Sequence, residues 1–247
     1  MSKPAVWIHP GVVILYGSNL DANYHKHNAI QVIWPQKNTA SRLNGDNLTT
    51  LVVIDSNVEH QLQMSMGWIL LIEPKSELGR VLSSKLDKQK TIAINSTYTG
   101  LVDSSANIEQ LNRQLAPLFV ALEITAPNAL TNKPVVQDRR IQSLLSELER
   151  CLHGECIKPV NWRARDVAHQ LALSESRFLH LFSDEMGITW RPYLLWRRMI
   201  CALAAIVDGA SATDAAHSAG FSDSAHLSRT FRNTFGMTCR QAQSLIK

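Results

Sequence analysis

The last third of the chain contains one short unit twice, and this duplication restricts the fold more than any other feature. Asp166-Val-Ala-His-Gln-Leu-Ala-Leu-Ser174 recurs as Asp214-Ala-Ala-His-Ser-Ala-Gly-Phe-Ser222, with Asp, Ala, His and Ser at a constant offset of 48. After one inserted residue the match resumes at an offset of 49, where Phe182-Ser-Asp-Glu-Met-Gly-Ile-Thr189 pairs with Phe231-Arg-Asn-Thr-Phe-Gly-Met-Thr238. A repeat of this length is one supersecondary unit.

Each copy reads as helix, tight turn, helix. In the first, Val167, Ala168 and Leu171 share a face of a short helix, and Leu173 follows at the turn. Ser174 stands where an N-cap belongs, ahead of a helix that buries Phe178, Leu181 and Phe182. In the second, Ala216 permits close helix crossing, Gly220 supplies the turn, Ser222 caps, and Leu227 and Phe231 are the buried anchors. Ala172 stands in the first copy where Gly220 stands in the second. One such hairpin is common packing; two joined by a helix are a device. The intervening Trp190 to Ala204 run has Pro192 in its first turn and apolar residues at Tyr193, Leu194, Trp196, Ile200 and Leu203. A rigid connector of this kind places both second helices for successive major grooves of B-DNA, roughly 34 Å apart.

From about Val160 to Ser244 these residues resemble the AraC/XylS family of bacterial transcription regulators. The resemblance is carried by Ser174 to Phe182 with Gly187-Ile-Thr189, by Ala219 to Arg232, and by Phe235-Gly-Met-Thr238. It implies an all-α, seven-helix, double helix-turn-helix DNA-binding domain. Near the end, the family's Pro and aromatic-Arg pair are replaced by Cys239, Ala242 and Gln243. The resemblance also implies RNA polymerase as a partner, homodimerisation, and activation rather than repression.

Charge is consistent with a polyanionic partner. The chain has 247 residues and a net charge of +4. From Lys158 onward eleven basic residues face seven acidic ones, so this part carries the whole excess. Nine of the eleven are arginines, the residue suited to phosphate and guanine. A solvated helical surface would carry the same modest charge.

With Phe178, Leu181 and Phe182 inward, the family's groove-facing positions fall on Ser176, Leu179 and His180, with Arg177 beside them. In the second copy they fall on Ser224, Ala225, Ser228 and Arg229, of which Arg229 is the strongest candidate for reading a base. Ser174, Ser222, Arg232 and Arg240 are assigned to phosphate.

The first half has a different pattern. Val12 to Tyr16, Ile30 to Trp34, Leu51 to Ile54, Trp68 to Ile72 and Thr91 to Ile94 are short β-branched or aromatic runs between turn residues, predicting a sandwich or small barrel. Ser76 caps a short helix. A longer helix from about Asn107 to Ile124 carries Ile108, Leu111, Leu115, Leu118, Phe119 and Leu122 on one side, a face that is either core or dimer seam. The family's sensor domain is often a cupin-like barrel, and His25-Lys-His27 resembles a cupin's first histidine pair, with His60 at the third. Residues two apart on a strand share a face. Gln31 occupies the place where a cupin enzyme commonly has Glu, and an amide oxygen is a poorer transition-metal ligand than a carboxylate. His25, His27, Gln31 and His60 are therefore assigned to a metal-free effector pocket, with a divalent metal on the three histidines as one alternative and a purely structural role for the histidines as another.

Cys151, Cys156, Cys201 and Cys239 show no C-x-x-C spacing, and an intracellular chain keeps them reduced. No apolar run reaches spanning length and no signal peptide is evident, so a cytoplasmic location without membrane association is expected. The expected plan is a two-domain α+β chain: a cupin-like sensor and dimerisation domain over 1–126, a Pro/Asn-rich linker over 127–135, and the DNA-binding domain over 136–247. The expected function is a ligand-responsive regulator of duplex DNA without enzymatic activity. The alternatives are a metal-dependent cupin enzyme fused to a DNA-binding module, and a constitutive binder whose barrel only dimerises.

Overall fold

The computed structural model describes residues 4–124, 130, 136–150 and 162–244. Apart from Leu130, the anticipated linker lies outside the described residues, as do Cys151 and Cys156. The backbone divides into two compact units, Met1–Lys133 together with Phe231–Lys247, and Pro134–Thr230.

The first unit is built on one antiparallel sheet. Its strands are β1 (Ala5–His9), β2 (Val12–His25), β3 (Ile30–Pro35), β4 (Ser41–Leu43), β5 (Asp46–Asn47), β6 (Leu51–Ile54), β7 (His60–Ile72) and β8 (Thr91–Ile94). The spatial order is β1-β2-β7-β3-β6-β8, with β4 paired to β7 and β5. β7 is the spine. Val12 to Leu20 run antiparallel to Ile72 to Met64 on one of its sides, while Ile30 to Pro35 and Ser41 to Leu43 take the other.

Each anticipated strand is present, but β2 and β7 are longer than their apolar runs. Gly17 to His25 and His60 to Gly67 contain Asn, Asp, Gln and Ser, which by local preference read as loop. Mutual pairing of the two segments overrides that preference. Among the described residues the path β1 to β8 stays open, in contrast to the anticipated sandwich or small barrel, because β1 pairs with β2 and β8 with β6 and no register joins the two ends. Two helices cover the apolar side instead: α1 (Glu77–Leu86), capped by Ser76, and α2 (Ile108–Ala121), with an Asn107/Gln110 capping box. Leu78, Leu82, Leu111, Leu115 and Leu118 pack with Ile14, Ile30, Val32, Leu70 and Trp68 in one core. The apolar face of α2 is thus core, not dimer seam. This unit also takes in the turn after residue 235, where Asn23 N–H donates to the Gly236 carbonyl at 2.9 Å.

The second unit is helical. It contains α3 (Arg139–Arg150), α4 (Ala164–Gln170), α5 (Glu175–Met186), α6 (Trp190–Val207), α7 (Ala212–Ser218) and the start of α8 (Ser224–Phe235); α9 (Cys239–Ser244) follows in the chain. Ile141, Leu144, Leu145 and Leu148 of α3 pack with Val167, Phe178, Phe182 and Trp190. Trp190 lies edge-on to Phe178 and Phe182, at ring separations of 5.3 and 5.0 Å. Cys239 is a buried free thiol.

Among the described residues no helix is long and apolar enough to cross a membrane.

Candidate nucleic-acid interface and the buried histidine cluster

The two turns are the same structure. After α4, Ala172 N–H donates to His169 O at 3.1 Å and Leu173 N–H to Ala168 O at 2.8 Å. After α7, Gly220 N–H donates to His217 O at 3.0 Å and Phe221 N–H to Ala216 O at 2.8 Å. This double closure is a Schellman motif, which needs a left-handed residue at its centre. Ala172 has φ 53° and Gly220 φ 72°.

The single inserted residue lies after this motif. Ser174 Oγ accepts from Arg177 N–H at 3.2 Å and caps α5, as expected. The cap of α8 is Asp223, not Ser222: Asp223 Oδ1 accepts from His226 N–H at 2.6 Å, while Ser222 Oγ donates to Asp223 Oδ2 at 3.1 Å. A carboxylate three residues ahead of the amide closes the N-terminal turn, and Ser222 is one residue too far back. Hydrogen bonds to His226 N–H and Ser222 hold the Asp223 carboxyl below its ordinary range.

Aligning the caps pairs Ser176 with Ala225, Arg177 with His226, Leu179 with Ser228 and His180 with Arg229. Ser176, Arg177 and His180 are exposed on α5, and Ala225, Arg229 and Arg232 on α8. Leu179 is half-buried against the α3 to α6 core, and Ser224 and Ser228 are half-buried. Ser174, Ser222 and Arg240 are exposed at helix ends. His226, the counterpart of Arg177, escaped the sequence reading because it requires the cap to be located first. Its ring stands edge-on to Phe221 at 5.2 Å, and its Nδ1 is 3.1 Å from Ser222 Oγ.

Two arginines counted toward the basic excess serve the protein instead. Arg197 is buried, with a guanidinium nitrogen 3.4 Å from Leu148 O. Arg198 donates to Ala219 O and Gly220 O at 3.0 and 2.6 Å.

In the first unit, His25, His27 and His60 are brought together and buried, with ligand-capable nitrogens all within 4.8 Å of one another. The reason differs from the anticipated one. β2 ends at His25, which pairs in register with His60 across a bulge, so His27 lies beyond the strand and reaches the cluster from the connection to β3. Gln31 projects from β3 into the same place: its Oε1 is 2.8 Å from His27 Nε2 and 3.0 Å from His60 Nε2. Burial, reinforced by His60, pushes the His25 pKa down to about 4. Burial takes His27 down to about 3 against the opposing contact with Gln31, and it lowers His60 as well. A cleft of about 490 Å³ lies elsewhere on the sheet, lined by Leu20, Asp21, Arg42, Gln63 and Met64 among others. It was not legible in the sequence, because its walls come from β2, β4 and β7.

A helix-turn-helix domain family matches residues 167–244. The chain is similar to the virulence regulon transcriptional activator VirF of Yersinia enterocolitica, 29% identical over 124 residues, which is 50% of this chain and 41% of that protein. It is similarly related to the thermoregulatory protein LcrF of Yersinia pestis, 28% identical over 123 residues, or 49% and 41% of the two chains. The match therefore spans less than half the length of either relative. Among solved structures, apo ToxT from Vibrio cholerae superposes with a TM-score of 0.54 at 13% identity, covering 100% of both chains. Unsaturated fatty acid-bound ToxT gives 0.52 at 14%, covering 96% of this chain and 95% of that one. These two show the fold: an antiparallel sheet region followed by a helical part. The duplicated turns and the matched domain agree: residues 167–244 form a helix-turn-helix domain similar to that of these regulators, and a β-rich N-terminal unit precedes it in the chain.

Proposed function

We propose that the protein is a sequence-specific regulator of transcription that binds duplex DNA through α5 and α8. The observation that carries this reading is the repeat of one turn geometry in two places, each followed by a capped helix with exposed polar residues. Ser176, Arg177, Leu179 and His180 read bases from α5, and Ala225, Ser228 and Arg229 do so from α8, with Ser224 beside its cap. Ser174, Ser222, Arg232 and Arg240 contact phosphate. α6, 18 residues and so about 27 Å long, sets the spacing. The similarity to an activator supports activation, with RNA polymerase as partner, homodimerisation on DNA and a cytoplasmic site of action. The finer architecture in this reading is a cupin-like N-terminal domain and a seven-helix DNA-binding domain, with the boundary at 127–135.

In this reading the N-terminal unit is a sensor, not an enzyme. His25, His27, Gln31 and His60 form its effector site. Asn23, two residues before His25, holds the turn at Gly236 that follows α8, which provides a route from sensor to α8. A small molecule bound in the similarly folded ToxT is consistent with a ligand-responsive unit of this shape. The test is a salt titration of the full chain on its selected operator. Affinity falls steeply with salt as phosphate contacts release counterions; a flat response, or equal affinity for scrambled DNA, excludes the reading.

A further inference from the structure

His226 is held by a chain of hydrogen bonds whose direction is fixed from one end. Asp223 is an ionised carboxylate, kept below its ordinary range by hydrogen bonds from His226 N–H and Ser222, so it only accepts. The single hydrogen of the Ser222 hydroxyl therefore goes to Asp223 Oδ2 at 3.1 Å. Ser222 Oγ has only lone pairs left for its other neighbour, His226 Nδ1, also at 3.1 Å. The ring proton of neutral His226 thus sits on Nδ1, and Nε2 carries a lone pair. Among the described residues Nε2 has no hydrogen-bond partner. With its hydroxyl hydrogen given to Asp223, Ser222 has its backbone N–H left for phosphate.

The ring is fixed on a second side by Phe221, edge-on at 5.2 Å. Held by Ser222 and Phe221 together, the imidazole is a set piece of the turn. His226 is half-buried on α8, next to exposed Ala225 and one helical turn before exposed Arg229, so it shares their flank. Alignment of the two caps puts it where Arg177 stands in the first copy. The two side chains differ in kind: a guanidinium only donates, whereas this neutral imidazole turns an acceptor outward. The charged groups around it are Asp223 at the cap, Arg229 along α8, and Arg198 of α6, which stacks on Phe221 at 4.2 Å.

We propose, resting on the DNA reading above, that His226 reads a major-groove base as an acceptor through Nε2 and selects one with an exocyclic amine, adenine N6 or cytosine N4. Ser222 and Asp223 are positioning residues that fix the tautomer. A donor in this place, as Arg177 is in the first copy, selects guanine O6 and N7 instead. Protonation of His226 has the same effect, because Nδ1 keeps its proton, Nε2 gains one, and the acceptor becomes a donor. The preferred base at one operator position therefore changes from an amine-bearing base to guanine as pH falls across the span in which histidine side chains gain charge, roughly pH 8 to pH 5.

The test uses the full chain. Its operator is selected from random duplex DNA, every position is then replaced by every base pair, and affinities are measured at about pH 8 and about pH 5. At the higher pH one position favours adenine or cytosine over guanine about fivefold or more, and at the lower pH that preference reverses. His226→Ala keeps the Asp223 cap, which uses the backbone N–H, and loses the preference at that position alone. His226→Arg moves it to guanine at both pH values, and Ser222→Ala weakens it severalfold by freeing the tautomer. Base preferences shared at every position by wild type and His226→Ala overturn the inference, as does a wild-type preference unmoved by pH. A loss spread evenly over all sequences in His226→Ala overturns it too, since it assigns the ring to phosphate or to packing. The wild-type pH comparison decides the matter even where a variant does not fold. A wild-type chain that selects no sequence overturns the DNA reading itself, so the two failures are told apart.

Discussion

The guanidinium of Arg198 lies 4.2 Å above the ring of Phe221 while its nitrogens donate to Ala219 O and Gly220 O at 3.0 and 2.6 Å. One side chain of α6 thereby satisfies the carbonyls at the end of α7 and stacks on the residue that closes the turn, fastening the second helix-turn-helix to the connecting helix. Arg198→Ala removes two charge-assisted hydrogen bonds and a cation–π contact and destabilises the protein by about 2 kcal/mol. Arg198→Lys recovers little, because an ammonium can neither fork to two carbonyls nor stack as a plane. Urea unfolding of both variants checks the order; a Lys variant equal to wild type would show that charge alone matters.

The paired turns predict opposite effects from exchanging their central residues. Ala172 pays the left-handed penalty at φ 53°, so Ala172→Gly stabilises, by up to about 1 kcal/mol after the greater unfolded-state entropy of glycine is subtracted. Gly220→Ala at φ 72° destabilises by about 1 to 2 kcal/mol. Thermal melts of the two single variants decide, and shifts of the same sign would contradict the equivalence of the turns.

Arg229 and Arg232 are both exposed on α8, one helical turn apart. Arg229→Ala loses sequence discrimination, on the order of 1 to 3 kcal/mol for a bidentate guanine contact. Arg232→Ala weakens specific and scrambled DNA alike. Binding of each variant to both DNAs separates the roles; equal losses on both for Arg229→Ala would move it to the phosphate class.

Gly67 sits where β7 passes the end of β3. A Cβ there would stand 2.6 Å from Trp34 O and 2.9 Å from Pro35 Cα, and backbone cannot yield as a side chain can. Gly67→Ala therefore destabilises by about 2 kcal/mol or more through local strain. Gly17, its cross-strand partner on β2, has no atom within 4 Å of an added Cβ, so Gly17→Ala is the mild control.

What the chain announces without its structure is what neighbouring residues decide among themselves. The Schellman turns at Ala172 and Gly220, the cap at Ser174, and the apolar faces of α2, α3 and α5 each arise within about ten residues, where propensity and periodicity act. The histidines show the limit. His25 and His27 were paired by a strand rule that does not apply past the end of β2, yet they do meet, because β7 brings His60 to His25 and β3 brings Gln31 to His27. Long-range pairing likewise extended β2 and β7 through polar residues, left the sheet open under α1 and α2, and turned the α2 face into core. It also drew Arg198 from the count of DNA-facing charges, since its partners lie 21 and 22 residues away in the chain. Contacts of this kind are settled by packing and loop closure across the fold, and no local pattern encodes them.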